Sequence, residues 1–377
     1  MPILKSPRLF NMHGHLRQDR TLKLTVPIAA QYCQFYAAMG NTKPPILNLD
    51  DAIAYEREIS AETPEEHRKD FLPFVVVKVR EDSKVSDIIA CISRGYRFFK
   101  FYPFARTTHA DDGIKNYMSP RLREIYEAIA SRNAHSLWHC EHPLKRYDDM
   151  ECEYAFLGIF EQIYNLVPSL MMCWEHLSDA RVLPFLLDME DRVACTVTVH
   201  HQVLRLNDVL GRNHNLCRPP AKTLLDMETL RDAVTSGRRK EGRVAFKIML
   251  GLDDAPWDRD HKECGEASCG DYTMPAAVQR IVQIFDEDKR LFGPDGEASP
   301  AYRRYIVENA AAYYHLAPTN GVPIVLRREP YQIPFAYRLF GDDNSVCAIR
   351  SADDQLPTDF VPFMAGAMLD WTVDGVI

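Results

Sequence analysis

The order of apolar segments limits what this chain can fold into more than any other feature of its sequence. Runs of apolar or β-branched residues alternate with segments of helical periodicity. The eight runs end near His13, Leu49, Val79, Tyr102, His139, His176, His200 and Asp253. Runs such as residues 194–199 are apolar or β-branched on both faces, which is typical of parallel strands that are covered on both sides. Eight such strands with helices between them predict a (β/α)8 barrel, an α/β fold.

Helix signals between the runs support this alternation. Ser119 suits a helix N-cap, and Pro120 suits the first turn of the helix that follows. Residues 85–93 also have helical periodicity, and Gly95 follows them as a typical terminating residue. We predict further helices over 150–166, 223–236, 276–288 and 300–316. A doubly wound open sheet is the alternative, but no glycine-rich phosphate-binding pattern follows any of the runs.

Length and composition are those of one large globular unit. The 377 residues are 46% hydrophobic and 26% charged, so we expect a single barrel domain over 1–377 with a C-terminal extension from about residue 317. A net charge of −8, with acidic and basic residues interspersed, predicts neither a nucleic-acid-binding nor a membrane-binding surface. The ten cysteines include no CxxC pair, and the sequence has no signal-peptide pattern, so we expect a cytoplasmic protein.

Two histidines stand one residue apart directly after the first apolar run. Residues i and i+2 of a strand project from the same face, so His13 and His15 can bind one divalent metal ion. Taken alone, the pair would also fit two unrelated polar histidines. The active site of a barrel lies at the carboxyl ends of its strands. The predicted strand ends bring these candidate ligands to one mouth: His13, His15, Lys100, His139, His176 and Asp253.

Lys100 is the unusual member of this set. It lies in an aromatic run over 96–102, where an unpaired ammonium group is costly to bury. Burial lowers the pKa of a lysine, and the neutral amine can then react with carbon dioxide. The resulting carbamate has two anionic oxygens that can bridge two metal ions. A lysine that extends its ammonium group to the strand end is the alternative, but the surrounding histidines favour carboxylation.

The candidate ligands, in this order and on these strands, resemble those of the amidohydrolase superfamily. Local motifs narrow the resemblance to class II dihydroorotases. These motifs are HGHLR (13–17), KFYPFARTTHADDG (100–113), WEHLSDA (174–180), GLDDAP…HKE (251–263) and FMAGAMLDW (363–371). The resemblance implies a hydrolase that interconverts N-carbamoyl-L-aspartate and L-dihydroorotate in pyrimidine biosynthesis. It also implies a homodimer.

The resemblance further implies two divalent metal ions, with zinc expected from the histidine and carboxylate ligands. It assigns His13, His15 and Asp253 to the more buried ion. It assigns His139 and His176 to the second ion, and N6-carboxylated Lys100 to the bridge between the two ions. A hydroxide between the ions would attack the scissile carbonyl. Asp253 would accept the hydroxide proton and return it to the leaving amide nitrogen.

Substrate residues follow from the same resemblance. Arg17 and Asn41 match positions that bind the substrate carboxylate, a task that suits the paired donors of a guanidinium group. Thr107 and Thr108 match the tip of a mobile loop that closes over the substrate and donates hydroxyl hydrogen bonds. We therefore expect a small-molecule substrate that carries a carboxylate.

The chain departs from the family pattern at three positions. Trp257 replaces a histidine that helps to bind the carboxylate, and Arg218 replaces an apolar residue beside the substrate ring. Asn11 replaces an aspartate that precedes the first histidine pair. Cys269 falls near the position of a small residue that contacts the substrate in the family, so it is a further candidate substrate residue. None of these positions is a metal ligand, so hydrolysis is expected to survive while the identity of the ring stays open.

Two other functions remain as alternatives. A related hydrolase of another cyclic amide or imide, of the hydantoin or dihydropyrimidine type, is favoured by Trp257 and Arg218, whereas Arg17 and Asn41 favour dihydroorotate. A catalytically inactive scaffold would have no reason to retain the whole ligand set. His200 and His201 follow the seventh run and are either additional site residues or a structural pair.

Overall fold

A barrel of eight parallel strands forms the centre of the fold, and each strand pairs with the next one along the chain. The computed structural model describes residues 2–237, 247–319, 321–340 and 345–374. The barrel strands are Leu9–Gly14, Cys33–Met39, Leu72–Val79, Phe98–Phe101, His135–Trp138, Met171–Trp174, Val193–Val197 and Ile248–Leu250. The predicted (β/α)8 architecture is confirmed.

Helices connect the strands and cover the outside of the barrel. The α-helices are Leu22–Tyr32, Leu49–Glu62, Val85–Ser93, Pro120–Ala130, Cys152–Leu166, Leu183–Asp188, Leu206–Val209, Leu224–Thr235, Arg259–Glu263, Ala277–Glu287, Pro300–Arg303 and Asn309–Tyr314. A π-helical segment, Arg304–Glu308, joins the last two. Short 3₁₀ turns are Asp19–Thr21, Glu65–His67, His200–Gln202, Asn213–Asn215, Met274–Ala276 and Ala352–Asp354. None of the described helices has the length and apolar character that a membrane crossing requires.

Local sequence signals located most of these helices. The Ser119 hydroxyl accepts a hydrogen bond from the N–H of Leu122 (3.3 Å), as the predicted N-cap requires. The helix Val85–Ser93 has the predicted bounds. The helix predictions over 223–236 and 276–288 each agree with the observed helices, Leu224–Thr235 and Ala277–Glu287, to within one residue at both ends.

One strand prediction is wrong. The run that ends near Leu49 is not a strand, because Leu49 begins a helix and the second barrel strand is Cys33–Met39. The apolar run is a loop that packs along the barrel. The N–H of Ile46 donates to the carbonyl of Gly40 (2.9 Å), and the carbonyl of Ile46 accepts from the N–H of Lys78 (2.8 Å). Burial of this loop gives it the composition of a strand without the regular pairing of one.

The barrel closes between its first and eighth strands. The N–H of Asp253 donates to the carbonyl of His13 (2.9 Å). The N–H of Leu252 donates to Oδ1 of Asn11 (2.8 Å), a side chain with no exposed surface. Asn11 therefore continues the hydrogen bonding between these strands at the point where the first histidine pair begins.

Residues from about 317 onward return to the start of the chain. Their strands pair with one another and with the N-terminal strand, antiparallel throughout. The pairs are Ile3–Ser6 with Ile324–Arg327, Ile324–Arg327 with Thr372–Val373, Tyr331–Gln332 with Met368–Leu369, and Ala336–Leu339 with Val346–Ile349. Trp371 is buried and donates from Nε1 to the carboxylate of Asp286 (3.1 Å), which fixes the end of this segment against the barrel helices.

Candidate active site

One cavity of about 350 Å³ opens at the carboxyl ends of the barrel strands. It is lined by His13, His15, Arg17, Asn41, Tyr102, Thr107, Thr108, His139, His176, Arg218, Asp253, Ala255, Cys269 and Gly270. The fold thus brings together all but two of the site residues predicted from the sequence. The exceptions are Lys100 and Trp257, which are not among the lining residues.

The first predicted ligand set converges on one point. Oδ1 of Asp253 lies 3.3 Å from Nε2 of His13 and 3.1 Å from Nε2 of His15. Burial opposes ionisation of Asp253, but hydrogen bonds from the two histidines hold its pKa well below the usual range. Burial lowers the pKa of His15 to about 4, so its ring is neutral near pH 7. Two imidazoles and a carboxylate form a donor set that suits zinc.

A buried carboxylate that the sequence analysis missed orients His13. Oε2 of Glu175 lies 2.7 Å from Nδ1 of His13 and accepts from the hydroxyl of Thr196 (2.7 Å). The contact with Glu175 leaves Nε2 of His13, on the side of Asp253, as the ring nitrogen that can bind a metal ion. Glu175 lies at the end of the sixth barrel strand, immediately before a candidate ligand, and that position is the signal that could have identified it.

His139 has a matching partner. Oε2 of Glu141 lies 2.7 Å from Nε2 of His139, which leaves Nδ1 of that ring for a metal ion. The Cys152 thiol donates to the other oxygen of Glu141 (3.0 Å), and a guanidinium nitrogen of Arg218 lies 3.7 Å away. Burial opposes ionisation of Glu141, but His139 and Arg218 lower its pKa to about 2.

His176 lies between the two sets. Its ring centroid is 4.9 Å from that of His13 and 4.6 Å from that of His139. Its Nδ1 is buried and has no hydrogen-bond partner among the described residues. The backbone of His176 has φ 43° and that of Asp253 has φ 47°, in the left-handed region that costs a non-glycine residue on the order of 1 kcal/mol. The surrounding structure therefore holds both residues in place.

Lys100 lies within the fourth barrel strand and has no exposed surface. Its Nζ makes no hydrogen bond within the described part of the chain and lies 5.4 Å from the ring centroid of Tyr102. Burial lowers its pKa, and the carboxylate of Glu175 opposes this shift. A buried amine without a partner is costly as an ammonium ion, and carboxylation would convert it into a metal ligand.

Arg17 supplies the cationic side of the cavity. Its Nε donates to the carbonyl of Pro256 (3.1 Å), and its own carbonyl accepts from the hydroxyl of Tyr55 (2.8 Å). Burial lowers the pKa of Arg17 to about 10, so the group remains charged near pH 7. Asn41 lies across the cavity rim with a buried Oδ1 that has no partner in the described residues. These two side chains can receive an anionic substrate group.

The position of Trp257 in the sequence predicted a direct contact with the substrate, but its side chain makes other contacts. Its indole Nε1 donates to the carbonyl of Cys269 (3.0 Å), so the N–H group is not available to a ligand. The Cζ atom of Arg17 lies 4.2 Å from the centroid of the Trp257 ring. The tryptophan therefore contacts Arg17 rather than the cavity.

Thr107 and Thr108 lie on a loop that is folded over one side of the cavity. The loop is closed at its base by the hydrogen bond from the N–H of Phe104 to the carbonyl of Ile114 (3.0 Å). Nζ of Lys78 donates to the carbonyl of His109 (2.8 Å), next to the two threonines. This contact anchors the loop tip to the third barrel strand.

Three other predicted residues have clear places. Arg218 lies on the cavity wall, with Nη1 2.5 Å from Oδ1 of Asp149. His200 and His201 do not line the cavity; they are buried in the turn that follows the seventh strand, which ends at Val197. Nε2 of His201 lies 3.0 Å from the carbonyl of Pro219, whereas neither ring nitrogen of His200 has a hydrogen-bond partner among the described residues.

Comparison with known proteins gives a consistent result. No family model matches the chain. The chain is 30% identical over 365 residues to a dihydroorotase from a Marinomonas species, covering 95% of this chain and 96% of that relative. A dihydroorotase structure from Saccharomyces cerevisiae, in complex with 5-fluoroorotic acid, aligns with a TM-score of 0.83 at 22% identity and covers 99% of this chain and 98% of that one. An L-hydantoinase (dihydropyrimidinase) structure from Arthrobacter aurescens aligns with a TM-score of 0.72 at 13% identity, covering 99% of this chain and 84% of that one.

The buried carboxylate behind His13 generates a prediction. Glu175→Gln removes the charge that makes His13 a stronger ligand, so the affinity of the protein for Zn²⁺ should fall about 10- to 100-fold. Competition with a fluorescent chelator measures this affinity. Glu65→Gln, at a residue whose side chain is 81% exposed, is the matched control and should bind zinc as the wild type does. Equal affinities for the two variants would show that Glu175 does not tune the ligand.

Proposed function

We propose that this chain, which belongs to the dihydroorotase family, catalyses the reversible hydrolysis of L-dihydroorotate to N-carbamoyl-L-aspartate in pyrimidine biosynthesis. The enzyme is a metal-dependent hydrolase of a cyclic amide bond, as its family membership establishes. One observation carries the choice of substrate: a half-buried, cationic Arg17 lines the same cavity as the two sets of candidate metal ligands. The cavity thus offers an anion site beside a hydrolytic centre.

The donor atoms present fit a binuclear metal centre. His13, His15 and Asp253 converge within hydrogen-bond distance, which is the spacing expected of atoms that share one ion. The buried, unpartnered nitrogens of His176 and Lys100 are costly unless a ligand satisfies them. We propose that His13, His15 and Asp253 would hold one zinc ion, that His139 and His176 would hold a second, and that Lys100, carboxylated at Nζ, would be a further ligand. When bound, the ions supply Lewis-acid chemistry that activates water and polarises the ring carbonyl.

Substrate orientation falls to the chain's own residues. The guanidinium group of Arg17 pairs with the carboxylate of the substrate, and the amide of Asn41 adds a hydrogen bond. The hydroxyl groups of Thr107 and Thr108 close the open side of the cavity and exclude water from it. These contacts hold the ring with its scissile carbonyl toward the converging ligands.

Proton transfer is the role proposed for Asp253. In hydrolysis the oxygen of water bonds to the carbonyl carbon, and the bond from that carbon to the ring nitrogen breaks. Oδ1 of Asp253 accepts the proton that the attacking water loses and returns it to the departing nitrogen. The left-handed backbone of Asp253 and the close approach of the His13 and His15 rings hold this carboxylate at the converging ligand set.

Hydrolysis of a hydantoin or dihydropyrimidine ring is the second candidate. It is favoured by Arg218, whose charged side chain lies on the cavity wall where an apolar residue was expected. A ring without a carboxylate, however, would leave the half-buried guanidinium group of Arg17 without an anionic partner, which is unfavourable. The assembled ligand set also argues against an inactive scaffold. The homodimer and the cytoplasmic location remain predictions.

Substrate choice can be tested with purified, zinc-loaded enzyme. We expect turnover of L-dihydroorotate and little turnover of hydantoin or dihydrouracil. Arg17→Gln removes the partner of the substrate carboxylate, a loss of about 2–5 kcal/mol, so kcat/KM for dihydroorotate should fall on the order of 30- to 5,000-fold. A wild-type enzyme that prefers hydantoin, together with an Arg17→Gln variant that keeps its activity, would replace dihydroorotate by the second candidate.

The role of Asp253 gives a separate prediction. Asp253→Asn keeps the shape of the side chain but accepts no proton, so kcat should fall by about 10²–10⁴. Metal content, measured by plasma mass spectrometry on the same sample, should change much less. Asp260→Asn, on an exposed part of the helix Arg259–Glu263, is the matched control. An Asp253→Asn enzyme within tenfold of the wild-type kcat would assign the general base to another residue.

A further inference from the structure

We infer that Trp257 is a positioning residue for Arg17, which it holds in the plane that receives the substrate carboxylate. The inference rests on the proposed function, because it requires an anionic substrate group beside Arg17. The sequence suggested that Trp257 itself contacts the carboxylate, and the geometry points instead to an indirect role.

Two contacts fix the guanidinium group of Arg17. Its Cζ lies 4.2 Å from the centroid of the Trp257 ring, the distance of a close cation–π contact. Its Nε donates to the carbonyl of Pro256, the residue before that tryptophan (3.1 Å). The ring restrains the guanidinium face, and the carbonyl restrains one edge. Its terminal nitrogens make no hydrogen bond among the described residues, so both remain for a carboxylate in the cavity that Arg17 lines.

The tryptophan is itself held on three sides. Its Nε1 donates to the carbonyl of Cys269 (3.0 Å). The ring of His261 stacks on it at 5.2 Å with an interplanar angle of 29°, and the ring of His109 meets it edge-on at 5.7 Å and 79°. A side chain fixed in this way can impose an orientation on its neighbour. Because the indole N–H is already used, Trp257 can act on the substrate only through Arg17.

The aromatic face also suits the partial burial of Arg17. The residue is half-buried, so its guanidinium group loses part of its hydration. The electron-rich face of an indole attracts the cation without occupying any of its N–H donors. An additional hydrogen-bond acceptor at this position would stabilise the charge too, but it would compete with the substrate carboxylate. Trp257 therefore stabilises the guanidinium group and leaves its donors available.

The test compares two variants that both lack the indole N–H and differ in aromaticity. Trp257→Phe keeps a ring over Arg17, and Trp257→Leu does not. With L-dihydroorotate as substrate, Trp257→Leu should raise KM about 2- to 30-fold, the range of a cation–π contact, with a smaller change in kcat. Trp257→Phe should show only a small part of this increase in KM. In the Arg17→Gln background, Trp257→Leu should cause no further loss of kcat/KM, since the group it positions is gone.

Equal effects of Trp257→Phe and Trp257→Leu on KM would overturn the inference. The role would then belong to the hydrogen bond from the Trp257 indole to the carbonyl of Cys269. A Trp257→Leu loss that persists undiminished in the Arg17→Gln background would overturn it as well, since the tryptophan would then act independently of the arginine. Both results leave the proposed function intact when the wild-type enzyme hydrolyses dihydroorotate. A wild-type enzyme without that activity overturns the proposed function, and the inference with it.

Discussion

The hydrogen bonds that close the barrel between its first and eighth strands are the contacts on which the rest of the site depends. The N–H of Asp253 donates to the carbonyl of His13, and that of Leu252 donates to the side chain of Asn11. These bonds set the register of two strands whose ends carry His15, His13 and Asp253. A shift of one residue would turn these side chains to the opposite faces of their strands. The ligand set therefore exists only in the closed barrel.

Burial of polar groups destabilises the site and also makes these groups suited to bind a metal ion. The interior holds polar groups that water cannot satisfy, among them the amine of Lys100 and Nδ1 of His176. The carboxylates of Glu175 and Glu141 offset part of the free-energy cost of burying polar groups, because they accept hydrogen bonds from His13 and His139. Nδ1 of His176 would be satisfied by binding a metal ion, and Lys100 would be satisfied once carboxylation converts its amine into an anionic ligand. The same buried groups therefore determine both the stability of the site and its affinity for metal.

Periodicity and strand-end position were enough to predict the barrel and to identify His13, His15 and Asp253. They failed for the second strand, because the buried loop before Leu49 has a strand-like composition without strand pairing. Glu175 was missed because no spacing rule marks a carboxylate that acts through another residue. Trp257 was found by its departure from the family pattern, but its hydrogen bond to Cys269 depends on a loop conformation that sequence does not encode locally.

The central claim is that carboxylated Lys100 joins two metal sites into one catalytic centre, and carbon-13 NMR tests it most directly. Zinc-loaded enzyme prepared with carbon-13 bicarbonate should give a carbamate resonance and should hold two zinc ions per chain. Lys100→Ala should lose the resonance, most of the activity and part of the zinc, and a short carboxylic acid added with zinc should restore some activity. A Lys100→Ala protein that keeps two zinc ions and full turnover of dihydroorotate would contradict the account.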